Sequence, residues 1–325
     1  MKNCAFVMPV YIDTSDLQKL KFFEITLNSI FSQSDDDWIL IIIDDNSNNR
    51  VLSEMIEKNI KKWKDKIVYH KNDVNLGPGI SRNIGIEIAS KMNCKYILFQ
   101  DADDIADVNR VKITKATFDD SEADVVYSTF IPIDENGEVI DENKLSFSIK
   151  DILEANKNNS PNGKDIWKRI AIETGYINMT SSTSVRIKYA LKVKFPDSRA
   201  SEDAYVWMVY SALGANYQFV KEIPCKYRIP QNTIGSSSRS YVGKDTFYMT
   251  LFLTNEKAFY KCLELAEKNQ RIDQHEKERL ITGFYKKICC TLEGEGMIEI
   301  STKIKERIKK KSLSFENYQS VRSDR

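Results

Sequence analysis

Over its first 130 residues the chain alternates short, unbroken apolar runs with longer stretches whose apolar residues recur at helical spacing. An unbroken apolar strand is buried on both faces, and parallel strands covered by helices are the arrangement that buries both. The pattern predicts strands at Cys4–Val10, 38–43, 67–70, Tyr96–Phe99 and 124–131, with helices at 17–33, 50–64, 78–92 and 107–118. Leu20, Leu27, Ile30 and Phe31 give the first helix one face for the sheet, and Pro78 opens the third where its missing N–H costs nothing. The turn Asp134-Glu135-Asn136-Gly137 then reverses the chain as a hairpin. The expected class is α/β with a mostly parallel central sheet.

Beyond the hairpin the pattern is less regular. It predicts two short helices in 149–173 around a loop at 158–163, an extended stretch at 176–186, a helix from Glu202 N-capped by Ser201, and a strand at 217–223. Helices follow at about 244–269, 274–291 and 301–311, and a polar tail begins at Ser312. The expected division is a sheet domain at 1–230, a helical region at 231–311 and a frayed tail at 312–325.

Composition removes several function classes. With 48 Lys+Arg against 47 Asp+Glu, the chain lacks the basic excess of a nucleic-acid binder. The first of its 12 glycines is Gly77, so neither a dinucleotide fingerprint nor a phosphate loop can follow the first strand. His70 and His275 lie far apart, which argues against a histidine metal site. The six cysteines form no CxxC pair and read as reduced thiols. Apolar runs of six residues, such as 38–43, are far short of the roughly 20 that span a bilayer. The expectation is a cytoplasmic protein, at most peripheral at the inner face of the membrane.

Ligands of an open parallel sheet bind beyond the carboxyl ends of its strands, and two of those ends are acidic: Asp44-Asp45 and Asp101-Ala102-Asp103-Asp104. Brought to one edge, these acids repel one another, so a divalent cation or donated hydrogen bonds must relieve them. Asp and Asn after a strand also serve as plain turn formers and caps. Between the two ends lies Asn75-Leu76-Gly77-Pro78-Gly79-Ile80-Ser81-Arg82-Asn83-Ile84-Gly85, a glycine-rich approach to a helix whose first turns present Arg82 and Asn83. A helix N-terminus with an Arg suits an anion, although an ordinary loop-to-helix junction reads the same way.

The ordered set of strand-Pro9-Val10-Tyr11, Asp44-Asp45-Asn46-Ser47, Asn75-x-Gly77 with Ser81-Arg82-Asn83-x-Gly85, and Asp101-Ala102-Asp103-Asp104 resembles the family 2 glycosyltransferases of the GT-A fold over residues 3–230. The resemblance implies a Rossmann-like sheet and a donor site that includes Pro9, Tyr11, Asp44, Asp45, Arg82, Asn83, Asp101 and Ala102. It implies that Asp45 meets the nucleotide base and Asp101 the ribose, while Asp103, with Asp101, holds Mn²⁺ or Mg²⁺ on the diphosphate. Ser201-Glu202-Asp203 resembles the family's acidic pair that supplies the base, with Asp203 the candidate and Glu202 its neighbour. Tyr227-Arg228 resembles a closing element. Two positions depart from the pattern: Ile12 stands where the family often has Asn, and Asn46 where it often has Gly. No Gln-x-x-Arg-Trp motif is present, which points to addition of one sugar or a few.

The implied reaction is inverting transfer of a hexosyl or N-acetylhexosaminyl group from a UDP-linked sugar to a hydroxyl of a saccharide or lipid-linked glycan, as in cell-surface polysaccharide biosynthesis. The rivals are a sugar-nucleotide nucleotidyltransferase, although residues 11–35 lack its glycines and arginines, and a silent glycosyltransferase-like binding protein. Tyr176, Trp207, Tyr241, Phe247 and Tyr248 are sugar-stacking or core aromatics. Residues 303–311, from Lys303 to Lys311, carry six basic residues and one acid, leaving 42 basic against 46 acidic residues elsewhere. With Ile304 and Ile308 on one side, that helix is either a solvated face or a contact for anionic lipid. Oligomeric state has no sequence signal.

Overall fold

The computed structural model describes residues 2–158, 160–231, 239 and 242–320. Strand β1 (Cys4–Val10) is buried along its whole length because it is central: β2 (Trp38–Asp44) pairs with it on one side and β4 (Tyr96–Phe99) on the other, both parallel. β3 (Ile67–Lys71) adds a further parallel strand beyond β2. Alternate residues then face different layers. Ala5, Val7, Ile41 and Ile43 pack with Ile86 and Ala89 of α3 (Pro78–Lys91) on one face. On the other, Phe6, Met8 and Leu40 pack with residues of α1 (Leu17–Phe31), α2 (Arg50–Lys62) and α4 (Arg110–Asp120). Helix α3 lies so close to the sheet that a Cβ at Gly85 would stand 2.5 Å from a Val7 methyl.

Among the described residues the main sheet has the order β3-β2-β1-β4-β7-β5-β8. β7 (Thr183–Arg186) runs antiparallel between β4 and β5 (Val125–Tyr127), and β8 (Tyr217–Phe219) closes the edge parallel to β5. The strand predicted at 124–131 is therefore two strands. It breaks at Ser128, whose hydroxyl donates to the Ile223 carbonyl, and β6 (Phe130–Ile133) leaves to pair in parallel with β9 (Cys225–Arg228). The turn at 134–137 forms, with Asp134 Oδ1 accepting from the N–H groups of Asn136 and Glu138, but it leads to one antiparallel bridge, Ile133 to Val139, rather than to a hairpin ladder. The strand expected at 217–223 ends at Phe219 because the chain must turn to reach β9.

Helices α5 (Phe147–Asn158) and α6 (Trp167–Arg169), the latter continued by a wider turn at Ile170–Thr174, fill the predicted pair. After the short α7 (Ile187–Ala190) comes α8 (Glu202–Ala212). Ser201 stands at its N-cap position with φ +59°, a left-handed conformation, and its side chain caps nothing. The C-terminal helices are α9 (Lys244–Lys268), α10 (Gln274–Gly294) and α11 (Ile298–Ser320). They share one apolar core with the sheet domain: Phe252 and Phe259 of α9, Phe284 of α10 and Ile304 of α11 join the cluster that holds Val206 and Trp207. Ile304 is buried and Ile308 packs on the same core, so the apolar side of the basic helix is already covered. α11 runs on past Ser312, and residues 321–325 and Tyr241 lie outside the described residues.

Candidate active site

A cleft of about 850 Å³ opens above the carboxyl ends of β1, β2 and β4. Its near wall comprises Pro9, Tyr11, Ile12, Asp45, Asn75, Arg82, Asp101, Ala102 and Asp103, and the 199–203 segment leads from it to α8. The cleft lining also includes residues of the 144–152 stretch, Met179, Tyr227 to Gln231, which adjoin Asp103 through Arg228, and Phe247 and Leu251 of α9. Of the candidate aromatics, Tyr176 and Phe247 reach this cleft; Trp207 and Tyr248 are core residues.

The acidic end of β2 is closed by its own hydrogen bonds. Asp44 does not line the cleft: its Oδ1 accepts from the Ser47 N–H at 2.7 Å and its Oδ2 from the Tyr69 hydroxyl at 2.9 Å. The turn between them works because Asn46 adopts φ +65°, which Asn tolerates as Gly does. Ser47 Oγ in turn accepts from the Ile12 N–H, so Ile12 is tied to this turn through its backbone. Asp45 borders the cleft, yet its carboxylate holds the next loop, accepting from Leu76 N–H and Asn72 Nδ2 at 2.8 Å and from Gly77 N–H at 2.7 Å. Asn83 is likewise turned inward, exchanging two hydrogen bonds with the Phe195 backbone at 2.9 Å. The structure thus places Asp44 and Asn83 outside the cleft wall to which the resemblance assigned them, since the Ser47 N–H and the Tyr69 hydroxyl claim the Asp44 carboxylate and the Phe195 backbone claims the Asn83 amide.

The acidic end of β4 is organised differently. Arg110, buried beneath it, donates to Gln100 Oε1 and to the Phe99 and Thr183 carbonyls, and Gln100 passes donors on to the Asp101 and Asp104 carbonyls. Burial lowers the Arg110 pKa to about 10, and nearby Cys225 and Asp104 oppose that shift. Above this prop, Arg82 lies between two acids: one guanidinium nitrogen meets Asp101 Oδ1 and the other Glu202 Oε1, each at 2.7 Å. Its burial alone would favour the neutral form, but Asp101 and Glu202 hold its pKa above the usual arginine value. Asp104 sits below the cleft floor, with Oδ1 accepting from the Arg228 N–H, and burial first and the charges of Asp103 and Asp101 next push its pKa well up. The repulsion anticipated among these carboxylates is therefore met by an internal cation.

Glu202 and Asp203 both line the cleft. Glu202 is nearly buried and engaged by Arg82; burial raises its pKa, Arg82 opposes and Asp203 adds to the rise. Asp203 accepts from Thr180 Oγ1 at 3.0 Å and from the Ala204 N–H at 2.8 Å, and burial lifts its pKa above the ordinary aspartate range while Arg82 pulls it down. Sequence reasoning missed Thr180, Arg199 and Arg110, which sit in stretches with no motif and gain their places only through long-range folding. Arg228 was recognised; its Nε and Nη1 donate to the Asp103 and Asp134 carbonyls at 2.9 Å, fixing the strand end against the second sheet.

The groups available to a metal are carboxylate oxygens, a donor set suited to hard cations such as Mg²⁺ or Mn²⁺. Among the described residues no three His, Cys, Asp or Glu side chains gather into a ready-made cage. Asp101 and Asp103 both line the cleft, and one or two carboxylates there fit an ion that takes its remaining ligands from water and substrate.

Comparison with known proteins adds independent findings. The sequence matches the family model of Glycosyl transferase family 2 over residues 6–184. It is 32% identical over 213 residues to an uncharacterized glycosyltransferase of Methanocaldococcus jannaschii, covering 65% of this chain and 67% of that one. Two other curated relatives are much longer, and the chain spans 19% and 15% of their lengths. Among solved structures, Staphylococcus aureus TarS 1–349 in complex with UDP-GlcNAc superposes with TM-score 0.55 at 15% identity over 92% of this chain and 84% of that one. The mannosyltransferase PcManGT from Pyrobaculum calidifontis, in complex with GDP-Man and Mn²⁺, gives 0.55 at 10% identity over 90% and 73%. At such identities the likeness establishes the GT-A fold.

Proposed function

The chain belongs to glycosyl transferase family 2, and from that premise we propose that it is an inverting, non-processive glycosyltransferase with Asp203 as general base. The observation that carries the proposal is the division of labour in the acidic pair: Glu202 is bound to Arg82, whereas Asp203 borders the cleft and is held by a hydroxyl and a backbone N–H. In the reaction an acceptor hydroxyl attacks the anomeric carbon as the bond to the nucleoside diphosphate breaks, and Asp203 receives the hydroxyl proton. The raised pKa of Asp203 makes it a stronger base than an exposed aspartate. Asp101 and Asp103 are the residues that would hold Mn²⁺ or Mg²⁺, which when bound supplies positive charge for the departing diphosphate.

The donor is a nucleoside-diphosphate sugar, assigned as UDP-linked with a hexosyl or N-acetylhexosaminyl group. Structural neighbours hold UDP-GlcNAc in one case and GDP-Man in another, so a nucleotide sugar is the shared feature. Pro9, Tyr11 and Ala102 line the cleft and are assigned to its nucleoside part, with Asp45 holding the adjoining loop. Phe247 and Leu251 of α9 also line the cleft, which supports a reading in which the helical region 231–311 contributes to the acceptor side, for a saccharide or lipid-linked glycan. Among the described residues no helix is long and apolar enough to cross a membrane.

Nucleoside diphosphate release from UDP-, GDP- and TDP-sugars, with and without Mn²⁺ or Mg²⁺, tests the assignment. Metal-dependent release from one donor class is expected. Pyrophosphate release from a nucleoside triphosphate would instead identify a nucleotidyltransferase, and binding without any release would identify a silent scaffold.

A further inference from the structure

A diphosphate carries two or more negative charges, and the wall proposed to receive it already holds Asp45, Asp101, Asp103, Glu202 and Asp203. The sequence suggests Arg82 as its cation, but Arg82 is nearly buried, with both terminal nitrogens committed to Asp101 and Glu202 at 2.7 Å. Turning it toward a phosphate would strand the buried Glu202 carboxylate in a low-dielectric site, a costly exchange. Lys19 on the same wall is paired with Asp16 at 3.0 Å, and Arg228 is held on the Asp103 and Asp134 carbonyls. A protein cation to act beside the metal is left to the other basic residues of the lining, Lys144, Arg199 and Arg239, of which Arg199 packs on the glycine loop at Gly77.

Arg199 lines the cleft three residues before Glu202 and is half-buried. Its Nη1 donates to Asn75 Oδ1 at 2.6 Å and its Nη2 to the Asn75 carbonyl at 3.2 Å. Both partners are neutral oxygens of one residue, and among the described residues no carboxylate pairs with it. A guanidinium has five N–H donors in a planar fork, so these two bonds leave others for a ligand, and its charge is not cancelled locally. The glycine at 77 makes the place for it. At φ +86° the loop turns left-handed there, and a Cβ at that position would lie 2.9 Å from Arg199 Nη1 and 3.0 Å from its Cζ. Gly77 is also the residue whose N–H is fixed by Asp45, so the β2 turn, the glycine loop and Arg199 form one connected support.

We propose that Arg199 is the diphosphate-binding cation of the donor site, with Asn75 holding its guanidinium over Gly77 and Arg82 serving to position Asp101 and Glu202. This rests on the nucleotide-sugar reading above and adds the residue that recognises the anion. Calorimetric titration of the full chain with UDP, uridine, GDP and guanosine in Mg²⁺ tests both layers separately. The wild-type chain is expected to bind one diphosphate more tightly than its nucleoside. Arg199→Gln should reduce that preference roughly tenfold or more while leaving nucleoside affinity in place, because a charge-assisted fork is lost and the base contacts are not. Arg199→Lys should restore part of it, and Asn75→Ala, which frees the guanidinium without removing it, should keep most of it. Equal losses for diphosphate and nucleoside in Arg199→Gln, or an unchanged preference, would make Arg199 a loop staple and overturn the assignment. If the wild-type chain binds neither diphosphate, the nucleotide-sugar reading fails and this assignment falls with it. Thermal melting of all three variants identifies any that lose the fold, in which case the Lys and Asn75 variants decide.

Discussion

The acidic ends of β2 and β4 look alike in sequence and behave as opposites in the fold. At the β2 end every carboxylate oxygen of Asp44 and Asp45 accepts a hydrogen bond from the protein, three of the five from backbone N–H groups, and the carboxylates act as internal fasteners. At the β4 end, Asp101 shares an arginine with Glu202, Asp103 borders the cleft, and Asp203 stands alongside with a raised pKa. A carboxylate supplied with a full set of internal donors stabilises structure. One that lines a cavity, as Asp203 does with a single donor on each oxygen, is available to a substrate.

The largest effect that would break this contrast is at Asp203. Asp203→Asn keeps the size and can still accept from Thr180, so turnover should fall by about 10²–10⁴-fold, the usual worth of a general base. Nucleoside diphosphate affinity and melting temperature should stay near wild type. Steady-state transfer assays beside calorimetry check this, and robust turnover would remove Asp203 from the role of base.

Next in size is Arg82→Met, which leaves Asp101 and Glu202 without their shared cation. Breaking a buried pair by removing one partner typically costs about 3–5 kcal/mol. The cost should depend on pH in a definite direction. Glu202 and Asp203 already have folded-state pKa values raised by burial, and Arg82 opposes that rise, so its loss raises them further. Groups with raised folded pKa values favour the folded state below the unfolded value and lose that contribution as pH climbs through the folded one. Urea denaturation should therefore show the variant closest to wild type in acid and furthest from it toward neutral pH. A pH-independent deficit would mean that lost packing, not stranded charge, is the cause.

How much of this was visible beforehand follows from the range over which each feature is determined. β1 to β4 are legible because a strand buried on both faces writes itself as a continuous apolar run, and Pro78 marks its helix locally. The insertion of β7 between β4 and β5 is not legible, because Thr183-Ser184-Val185-Arg186 has no distinctive period and its partners lie far away in sequence. The same holds in the site. Asp101 and Asp103 announce themselves by spacing, but the distinction between Arg82 and Arg199 depends on a contact with Glu202, 120 positions from Arg82. Asn83 and Asp44 fitted a motif and still turned inward, since a motif specifies residue types without specifying which buried backbone groups need them.

At the closed end, Asp45→Ala tests whether the β2 carboxylate is structural in substance. It would leave the Leu76 and Gly77 N–H groups and the Asn72 amide without their acceptor, at about 1–3 kcal/mol for each buried donor that water does not reach. The expected result is a clear fall in melting temperature with turnover per folded molecule reduced far less than in Asp203→Asn. A variant with normal stability and no activity would move Asp45 to the chemical side of the contrast.

The smallest effect separates the two ends by proton chemistry alone. A base acts in its ionised form, so the acid limb of kcat should lie above the ordinary aspartate pKa of about 3.9, because burial raises Asp203. The Thr180 hydroxyl donates to Asp203 Oδ2 at 3.0 Å and favours the carboxylate. Thr180→Val keeps the shape and removes the donor, so the limb should move to higher pH, by less than about one unit for a single neutral hydrogen bond. Above the limb Asp203 is ionised in both proteins, and the two profiles should converge. If instead the limb stays in place and the plateau drops, Thr180 acts on the bound acceptor, and the pKa of the catalytic group is set by burial and Arg82 without it. The corresponding change at the closed end, Tyr69→Phe beside Asp44, should leave the whole profile unmoved, since Asp44 lies outside the cleft and no catalytic step depends on its ionisation.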